Sequence, residues 1–282
     1  MNVDIDWLRG EFPKLRNLAK LSQGGQKVVF TALDPQHGHV VLKLIHPSQA
    51  QESVERERLA VDQVKSARVP RIFDYGLVST QVGPCYWFLE ERVTGEPLNE
   101  VLRRAPLPMS EVLKLGVQML EALVKAEEAN IVHRDVKPAN IMMSVDRDFS
   151  LLDFGIARHL TLAALTDVSA RWGKCTPGYA PPEQFRNVQT EIDSRADLFA
   201  LGVTLYEAAT GVNPFWKDTG DQLEVLRRVE KTVLPRLETA AAQPEFADFI
   251  STLTQRRRDH RPKTAFEAHT WLLEIVSESQ KR

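Results

Sequence analysis

Cysteine is scarce in this sequence, with Cys85 and Cys175 the only two among 282 residues. A single pair at this separation favours reduced thiols and a cytoplasmic location, and it leaves one disulfide open as an alternative. A run of about 18 apolar residues is also missing, so we expect no membrane span. Asp4 and Asp6 lie where a secretory signal carries positive charge, so we expect no such signal.

The sequence also lacks an excess of either charge, since 36 Lys and Arg stand against 38 Asp and Glu, a net charge of −2. This balance argues against nucleic acid or an anionic membrane surface as the main partner. No low-complexity tract and no repeat with a period of about 20–50 residues is found, which excludes a solenoid. The length suits one large domain or two small lobes with ample core.

The first third of the chain is rich in strand patterns. Runs of β-branched residues at 27–33 and 39–45 are joined by DPQHG, which supplies Asp, Pro and Gly for a turn. Two further strands are predicted at 71–78 and 85–93. Residues 48–67 are strongly charged, contain neither Gly nor Pro and carry a thin apolar stripe, so they predict one helix.

From residue 94 onward helical patterns dominate. Five helices are predicted, over residues 110–129, 194–211, 221–231, 244–255 and 264–276. Ser110 is the expected N-cap of the first of them, and Gly211 is the expected C-cap of the second. We therefore predict a sheet-rich N-terminal lobe, residues 1–93, followed by a mainly helical lobe, residues 94–282.

Two motifs in the second lobe carry polar groups suited to chemistry. HRDVKPAN occupies residues 133–140, and LLDFGIAR occupies residues 151–158. Asn140 and Asp153 then lie on neighbouring short strands. Their oxygens suit a hard cation such as Mg²⁺, which takes few protein ligands and shares its other positions with water and phosphate. The two residues therefore predict a magnesium site.

Asp135 precedes Asn140 by five residues, so it can face the same cation without binding it, which suits a base that accepts a proton from a hydroxyl. Lys137 can neutralise charge on a moving phosphoryl group. Either motif alone is common in turns, but both in this order and spacing follow the kinase signature of catalytic loop and metal-binding turn. The chain resembles a protein kinase of the Ser/Thr type, most closely the bacterial relatives of eukaryotic kinases, over about residues 15–276.

The resemblance implies an α+β, bilobal protein kinase fold with ATP and Mg²⁺ as cofactors. VVLK resembles the family's Val-Ala-x-Lys, so Lys43 would contact the α- and β-phosphates. Its partner would be Glu57 in the charged helix, or Glu55 if the helix register differs. The other nucleotide-binding residues that the resemblance implies are Leu21, Gly24, Gly25, Val29, Val41, Glu91, Val93 and Met142.

GKCTPGYAPPEQF, residues 173–185, resembles the segment that ends the family's activation loop. Thr176 would bridge Asp135 and Lys137, as in family members that act on Ser and Thr rather than Tyr. Arg134 beside Asp135 implies that a phosphate on this segment can order it. The candidate phosphorylation sites are Thr161, Thr166 and Ser169.

Three further positions resemble the family's scaffold. Asp197 matches a buried carboxylate that holds the backbone of the catalytic loop, and Arg261 matches an arginine that pairs with the glutamate at Glu183. His133 is expected to pack and to form hydrogen bonds, and not to act as a catalyst.

The nucleotide loop departs from the family. In LSQGGQKVVF, residues 21–30, Ser22 and Lys27 replace the first and third glycines, and only Gly24 matches. Glycines there let backbone N–H groups approach phosphates, so the loss of two glycines should weaken the contact between this loop and the phosphates. Lys27 either places a cation near the phosphates or points into solvent.

Glu90 also departs, because it stands where the family has an apolar residue facing the adenine pocket. A carboxylate there costs desolvation unless it is paired, so one hypothesis is that Glu90 competes with Glu57 for Lys43. The alternative is a register shift of one residue, which would put Glu90 in the backbone segment that contacts adenine.

These features predict an ATP- and Mg²⁺-dependent protein serine/threonine kinase that also phosphorylates itself, with ATP and a protein hydroxyl as its partners. A second hypothesis is a pseudokinase that acts as a binding module, because the glycine loop is degenerate. A third is a small-molecule kinase, which the segment ending in Pro182 and Glu183 makes less favourable.

Overall fold

The structure is a computed structural model that describes residues 3–24, 27–46, 64–80, 83–154, 176–186, 192–238 and 243–279. Its contacts divide into two compact units. The first comprises the described residues of Met1–Lys65 together with Pro70–Val93. The second comprises Ser66–Val69 and the described residues of Thr94–Gly155 and Val168–Arg282.

The first unit is built on a five-stranded antiparallel sheet in the order β1-β2-β3-β5-β4. Its strands are β1 Arg16–Gln23, β2 Lys27–Asp34, β3 Gly38–Ile45, β4 Ile72–Thr80 and β5 Gly83–Glu91. The four strands predicted from the sequence are therefore confirmed, whereas β1 was not predicted. The turn between β2 and β3 forms because the Asp34 carboxylate accepts hydrogen bonds from the backbone N–H groups of Gln36 and His37, at 2.9 and 2.8 Å.

One face of this sheet is covered by the N-terminal segment. Helix α1, Ile5–Glu11, begins at Asp4, whose side chain accepts a hydrogen bond from the Asp6 N–H. Its Leu8 is fully buried in a core formed with Phe30, Leu42 and other apolar residues of the sheet. Helix α1 is not apparent from the sequence because only its packing against the sheet distinguishes it from a polar N-terminal tail.

The helix predicted at 48–67 lies outside the described residues as far as residue 63. Its last four residues, 64–67, are described and are not helical, so that end of the prediction is wrong. The chain turns there because the Ser66 hydroxyl accepts a hydrogen bond from the Arg68 N–H at 3.1 Å, which offers the backbone an alternative to a helix.

The second unit contains a small sheet and most of the helices. The sheet has the order β6-β7-β8, with β6 Glu96–Pro97, β7 Ile141–Met143 and β8 Phe149–Leu151. The helices are α2 Leu98–Leu102, α3 Met109–Glu128, α4 Pro182–Phe185, α5 Ser194–Thr210, α6 Gln222–Lys231, α7 Pro244–Leu253 and α8 Ala265–Ser279. Most residues of helix α5 are buried, and the helix packs against α3 and α7, so it lies in the core.

The five predicted helices of this unit are confirmed, but one of the two predicted caps is wrong. Pro108 occupies the N-cap position of α3, and Ser110 lies within the first turn. The helix begins before Ser110 because the Pro108 carbonyl accepts hydrogen bonds from the N–H groups of Glu111 and Val112, at 2.9 and 3.0 Å. Gly211 does end α5, with a left-handed φ of 77°. None of the described helices has both the length and the apolar character needed to cross a membrane.

A partly buried histidine on α8 makes the stability of this unit sensitive to acid. Burial lowers the pKa of His269, and the nearby Glu121 opposes this only in part. Among the described residues, none forms a hydrogen bond with its Nε2 atom. Because the folded pKa lies below the unfolded one, the unfolded chain binds the proton more tightly. The contribution of His269 to stability is therefore complete above the unfolded pKa, about 6.5, and is lost as pH falls through the folded pKa.

We expect the His269→Gln protein to gain thermal stability relative to the wild type as pH falls from about 7.5 to about 5.5, because the glutamine takes up no proton. Melting temperatures at the two pH values measure the change. The exposed His260 offers a matched control, His260→Gln. A difference between wild type and His269→Gln that stays constant across this range would contradict the assignment.

Candidate active site

The backbone of residues 133–140 is held in place from the core helix α5. The two carboxylate oxygens of Asp197 accept hydrogen bonds from the N–H groups of His133 and Arg134, both at 2.7 Å. Arg134 has a left-handed φ of 64°, which is uncommon for a side chain of its size, so these bonds support an unfavourable conformation. Burial raises the pKa of Asp197 to about 7, while the two N–H donors oppose the rise. The scaffold role predicted for Asp197 is confirmed.

His133 is fully buried and lies edge-on to Phe154, with ring centroids 4.7 Å apart. Its Nε2 lies 2.9 Å from the carbonyl oxygen of Leu152, and its Nδ1 accepts a hydrogen bond from the Asp135 N–H at 3.2 Å. These contacts fit a neutral imidazole with its proton on Nε2. The prediction that His133 packs and forms hydrogen bonds is confirmed.

Three described residues contact the Asp135 carboxylate. The Thr176 hydroxyl donates to its Oδ1 at 2.7 Å, the Asn140 amide donates to its Oδ2 at 3.0 Å, and Lys137 Nζ lies 3.0 Å from Oδ2. Lys137 also donates to the Thr176 hydroxyl at 2.8 Å. The predicted bridge from Thr176 to Asp135 and Lys137 is confirmed. These bonds fix the orientation of one carboxylate and one ammonium group side by side.

Asn140 and Asp153 lie at the same end of the small sheet. Asn140 ends a short 3₁₀ turn directly before β7, and its carbonyl oxygen accepts a hydrogen bond from the Leu152 N–H at 2.8 Å. Asp153 is the residue after Leu152, and its backbone has a left-handed φ of 58°. Because the Asn140 amide nitrogen is committed to Asp135, its amide oxygen is the group that suits a cation.

Asn140 and Asp153 offer one amide oxygen and one carboxylate to a divalent metal. Within the described part of the chain, no group of three or more His, Cys, Asp or Glu side chains could hold a metal. An ion at Asn140 and Asp153 would need further oxygen ligands from water or phosphate, which is the coordination that Mg²⁺ prefers.

The segment that follows Thr176 is fixed by contacts that the sequence analysis missed. The Trp216 indole N–H donates to the Pro177 carbonyl at 2.9 Å, and the Asn213 side chain donates to the Gly178 carbonyl at 3.3 Å. The Tyr179 hydroxyl donates to Glu207, and burial raises the pKa of both groups. The sequence offered one signal for Glu207, which is a charged residue near the end of a largely apolar predicted helix.

Arg261 and Glu183 form a buried ion pair, as predicted. Nη1 of Arg261 lies 2.6 Å from Oε1 of Glu183, and the arginine side chain is fully buried. The guanidinium also donates to the backbone carbonyls of Gln255, Arg195 and Arg256. This pair ties α4 to the loop before α8.

Lys43 lies on β3 in the first unit and forms an ion pair with Glu90 on β5. Val29 on β2 is directly opposite Lys43, and Val41 is directly opposite Glu90, so these four side chains share one face of the sheet. The structure therefore places Glu90 beside Lys43, and its competition with Glu57 stays a prediction. Its predicted competitor Glu57 lies outside the described residues.

The other residues predicted to bind nucleotide lie in several different elements of the structure. Leu21 on β1 is 58% exposed, Glu91 donates its N–H to the Arg71 carbonyl at 2.8 Å, and Val93 ends the first unit. Met142 lies in β7 of the second unit, and Gly24 lies just after β1. Five of the predicted site residues lie outside the described residues: Gly25, Glu57, Thr161, Thr166 and Ser169.

The family model described as "Protein kinase domain" matches residues 15–272. The chain belongs to the protein kinase family. Its antiparallel five-stranded sheet and its helical second unit give the kinase domain its α+β fold. Members of this family generally use ATP and a divalent metal.

Three bacterial proteins illustrate the similarity. The kinase is 31% identical over 272 residues to the probable serine/threonine-protein kinase PknB of Bifidobacterium longum, covering 91% of this chain and 39% of that protein. It is 32% identical over 247 residues to the serine/threonine-protein kinase PknL of Mycobacterium tuberculosis, covering 84% of this chain and 59% of that protein. It is 30% identical over 264 residues to the serine/threonine-protein kinase PknB of Mycolicibacterium smegmatis, covering 90% of this chain and 42% of that protein. The matched region thus spans 39–59% of these three relatives.

Proposed function

We propose that this protein is a serine/threonine kinase that transfers the γ-phosphoryl group of ATP to a hydroxyl group on a protein. The observation that carries the proposal is the arrangement around Asp135, whose carboxylate contacts Thr176, Lys137 and Asn140 at 2.7–3.0 Å. The names of the three relatives described above support the same specificity.

Asp135 would orient the acceptor hydroxyl and accept its proton. A base of this kind works only if it is held in position, and the bonds from Thr176 and Asn140 hold it from two sides. Lys137 would stabilise the negative charge of the transferred phosphoryl group, because its ammonium is fixed beside the same carboxylate. Asp197 supports both residues indirectly through the backbone of His133 and Arg134.

Several residues are proposed to contact the nucleotide. In the first unit, Lys43 would contact the phosphates, with Glu57 as a further partner of its ammonium. The other proposed nucleotide contacts are apolar or backbone groups: Leu21, Gly24, Gly25, Val29, Val41, Glu91, Val93 and Met142. A Cβ atom on Gly24 would lie 3.9 Å from the Lys27 carbonyl oxygen, so the described residues leave room for a side chain there. This supports a role for Gly24 toward phosphate, which needs close backbone approach.

Asn140 and Asp153 would hold Mg²⁺ through one amide and one carboxylate oxygen. When bound, the ion supplies positive charge to the phosphate oxygens. Asp135 stays outside this coordination because its oxygens are engaged with Thr176, Lys137 and the Asn140 amide nitrogen.

One observation favours a nucleotide-binding module without catalysis as the second candidate function. The Gly24 N–H donates to the Lys27 carbonyl at 2.7 Å, so a backbone donor that a phosphate would use is already engaged. The replacement of two loop glycines by Ser22 and Lys27 points the same way.

The proposal predicts that the purified protein, given γ-labelled ATP and Mg²⁺, labels serine or threonine in a generic basic protein and in itself. Phosphoamino-acid analysis identifies the acceptor class, and phosphosite mapping tests Thr161, Thr166 and Ser169. The Asp135→Asn protein, purified in parallel, reveals any contaminating kinase. A preparation that binds ATP but labels neither protein would instead favour the binding module.

A further inference from the structure

The ion pair between Lys43 and Glu90 is set by the register of the first unit's sheet. β3 and β5 are antiparallel, with Val41 opposite Glu90 and Lys43 opposite Phe88. Lys43 and Glu90 are therefore diagonal neighbours on one face, a separation that two long side chains can span. Because both residues lie on hydrogen-bonded strands, the carboxylate has a fixed position relative to the base of the lysine side chain.

The surroundings of this ion pair are apolar. Val29 and Phe88 lie directly opposite Lys43 on the two flanking strands, and Val41 lies opposite Glu90. All three are buried, and the Lys43 and Glu90 side chains are only 12% and 10% exposed. In such a setting, separating the partners leaves a buried carboxylate without compensation, which costs more than the pair itself stabilises.

The ion pair between Lys43 and Glu90 should therefore persist when Lys43 gains a second anionic contact. An ammonium group carries three N–H donors, so Lys43 can hold Glu90 and contact a phosphate at the same time. This outcome differs from competition, in which the lysine would have to leave one anion for another.

We propose that Glu90 is a positioning residue, which orients the Lys43 ammonium toward the phosphates of ATP from within the sheet. The inference rests on the proposed function, since it assigns Lys43 to the nucleotide. It adds that a carboxylate on a neighbouring strand of the same sheet sets the position of Lys43.

Steady-state kinetics with ATP test this in a double-mutant cycle built from Glu90→Met and Lys43→Met. We expect Glu90→Met to lower kcat/KM for ATP by roughly 10–100-fold through misplacement of the lysine, mainly in kcat. Glu90→Gln, which keeps a hydrogen-bond acceptor, should retain more activity than Glu90→Met. In the Lys43→Met background, Glu90→Met should have almost no further effect.

Asp74→Asn provides a matched control, because Asp74 is an exposed carboxylate on β4 of the same sheet. It should leave kcat and KM unchanged. A merely structural Glu90 would lower activity equally in both backgrounds, and that result would overturn the proposal, as would wild-type kinetics of Glu90→Met.

A wild-type protein that transfers no phosphate defeats the proposed function, and the inference is then judged on nucleotide binding alone. Calorimetric titration with ATP should show weaker binding for Glu90→Met than for the wild type, and equal binding for Lys43→Met with and without Glu90→Met. Equal affinity of wild type and Glu90→Met would overturn the inference in that case.

Discussion

The Asp135→Asn protein should fold and bind nucleotide normally, yet transfer phosphate about 10²–10⁴-fold more slowly than the wild type. An amide cannot accept the proton of the attacking hydroxyl. It can, however, occupy the same place, with its oxygen toward Lys137 and Asn140 and its nitrogen toward the Thr176 hydroxyl, because each of these neighbours can provide the complementary hydrogen bond. The loss should therefore appear in kcat, with little change in KM for ATP.

Asp146→Asn is the matched control for this measurement. Asp146 is an exposed carboxylate in the turn between β7 and β8 of the same unit, and its replacement should leave kcat unchanged. If Asp135→Asn kept kcat within about threefold of the wild type, Asp135 would not be the base, since general bases contribute far more than this. Equal melting temperatures for the two variants would exclude misfolding as the cause of a loss.

Breaking the Arg261–Glu183 pair should have the largest effect on stability. Arg261→Leu leaves a buried carboxylate without its partner and removes donors from three backbone carbonyls. The expected loss is about 3–5 kcal/mol of unfolding free energy, measured by urea denaturation. The guanidinium also lies 5.0 Å from the ring centroid of Phe199, so packing on α5 is lost as well.

An exposed ion pair provides the comparison. Arg103 and Glu100 contact each other at 2.6 Å, but the arginine side chain is 72% exposed. Arg103→Leu should therefore cost at most about 1 kcal/mol. Equal losses of unfolding free energy from Arg103→Leu and Arg261→Leu would show that burial does not increase the contribution of the Arg261–Glu183 pair to stability.

Local patterns in the sequence were enough to predict most strands and helices and the group around Asp135. The spacing of Asp135, Lys137 and Asn140 is short, so one loop brings them together whatever the distant parts of the chain do. Thr176 was predicted because its segment resembles a known motif. Gly211 was predicted because a glycine after an apolar helix has a direct conformational reason.

Features that depend on distant packing were missed. Helix α1 has seven residues, and its Leu8 is buried only because the sheet provides an apolar face. The contacts of Trp216 and Asn213 with the segment after Thr176 join residues 35–39 positions apart, and no motif marks them. Ser110 was a reasonable cap by composition, but the proline two residues earlier already sets the entry of the helix.

The packing of α1 determines where a shortened form of this kinase should begin. The family match begins at residue 15, four residues after α1 ends. A protein shortened to that point would lose Leu8 and uncover an apolar sheet surface, inviting self-association. Expression of the domain should therefore start upstream of Asp4, even though the shared family sequence begins later.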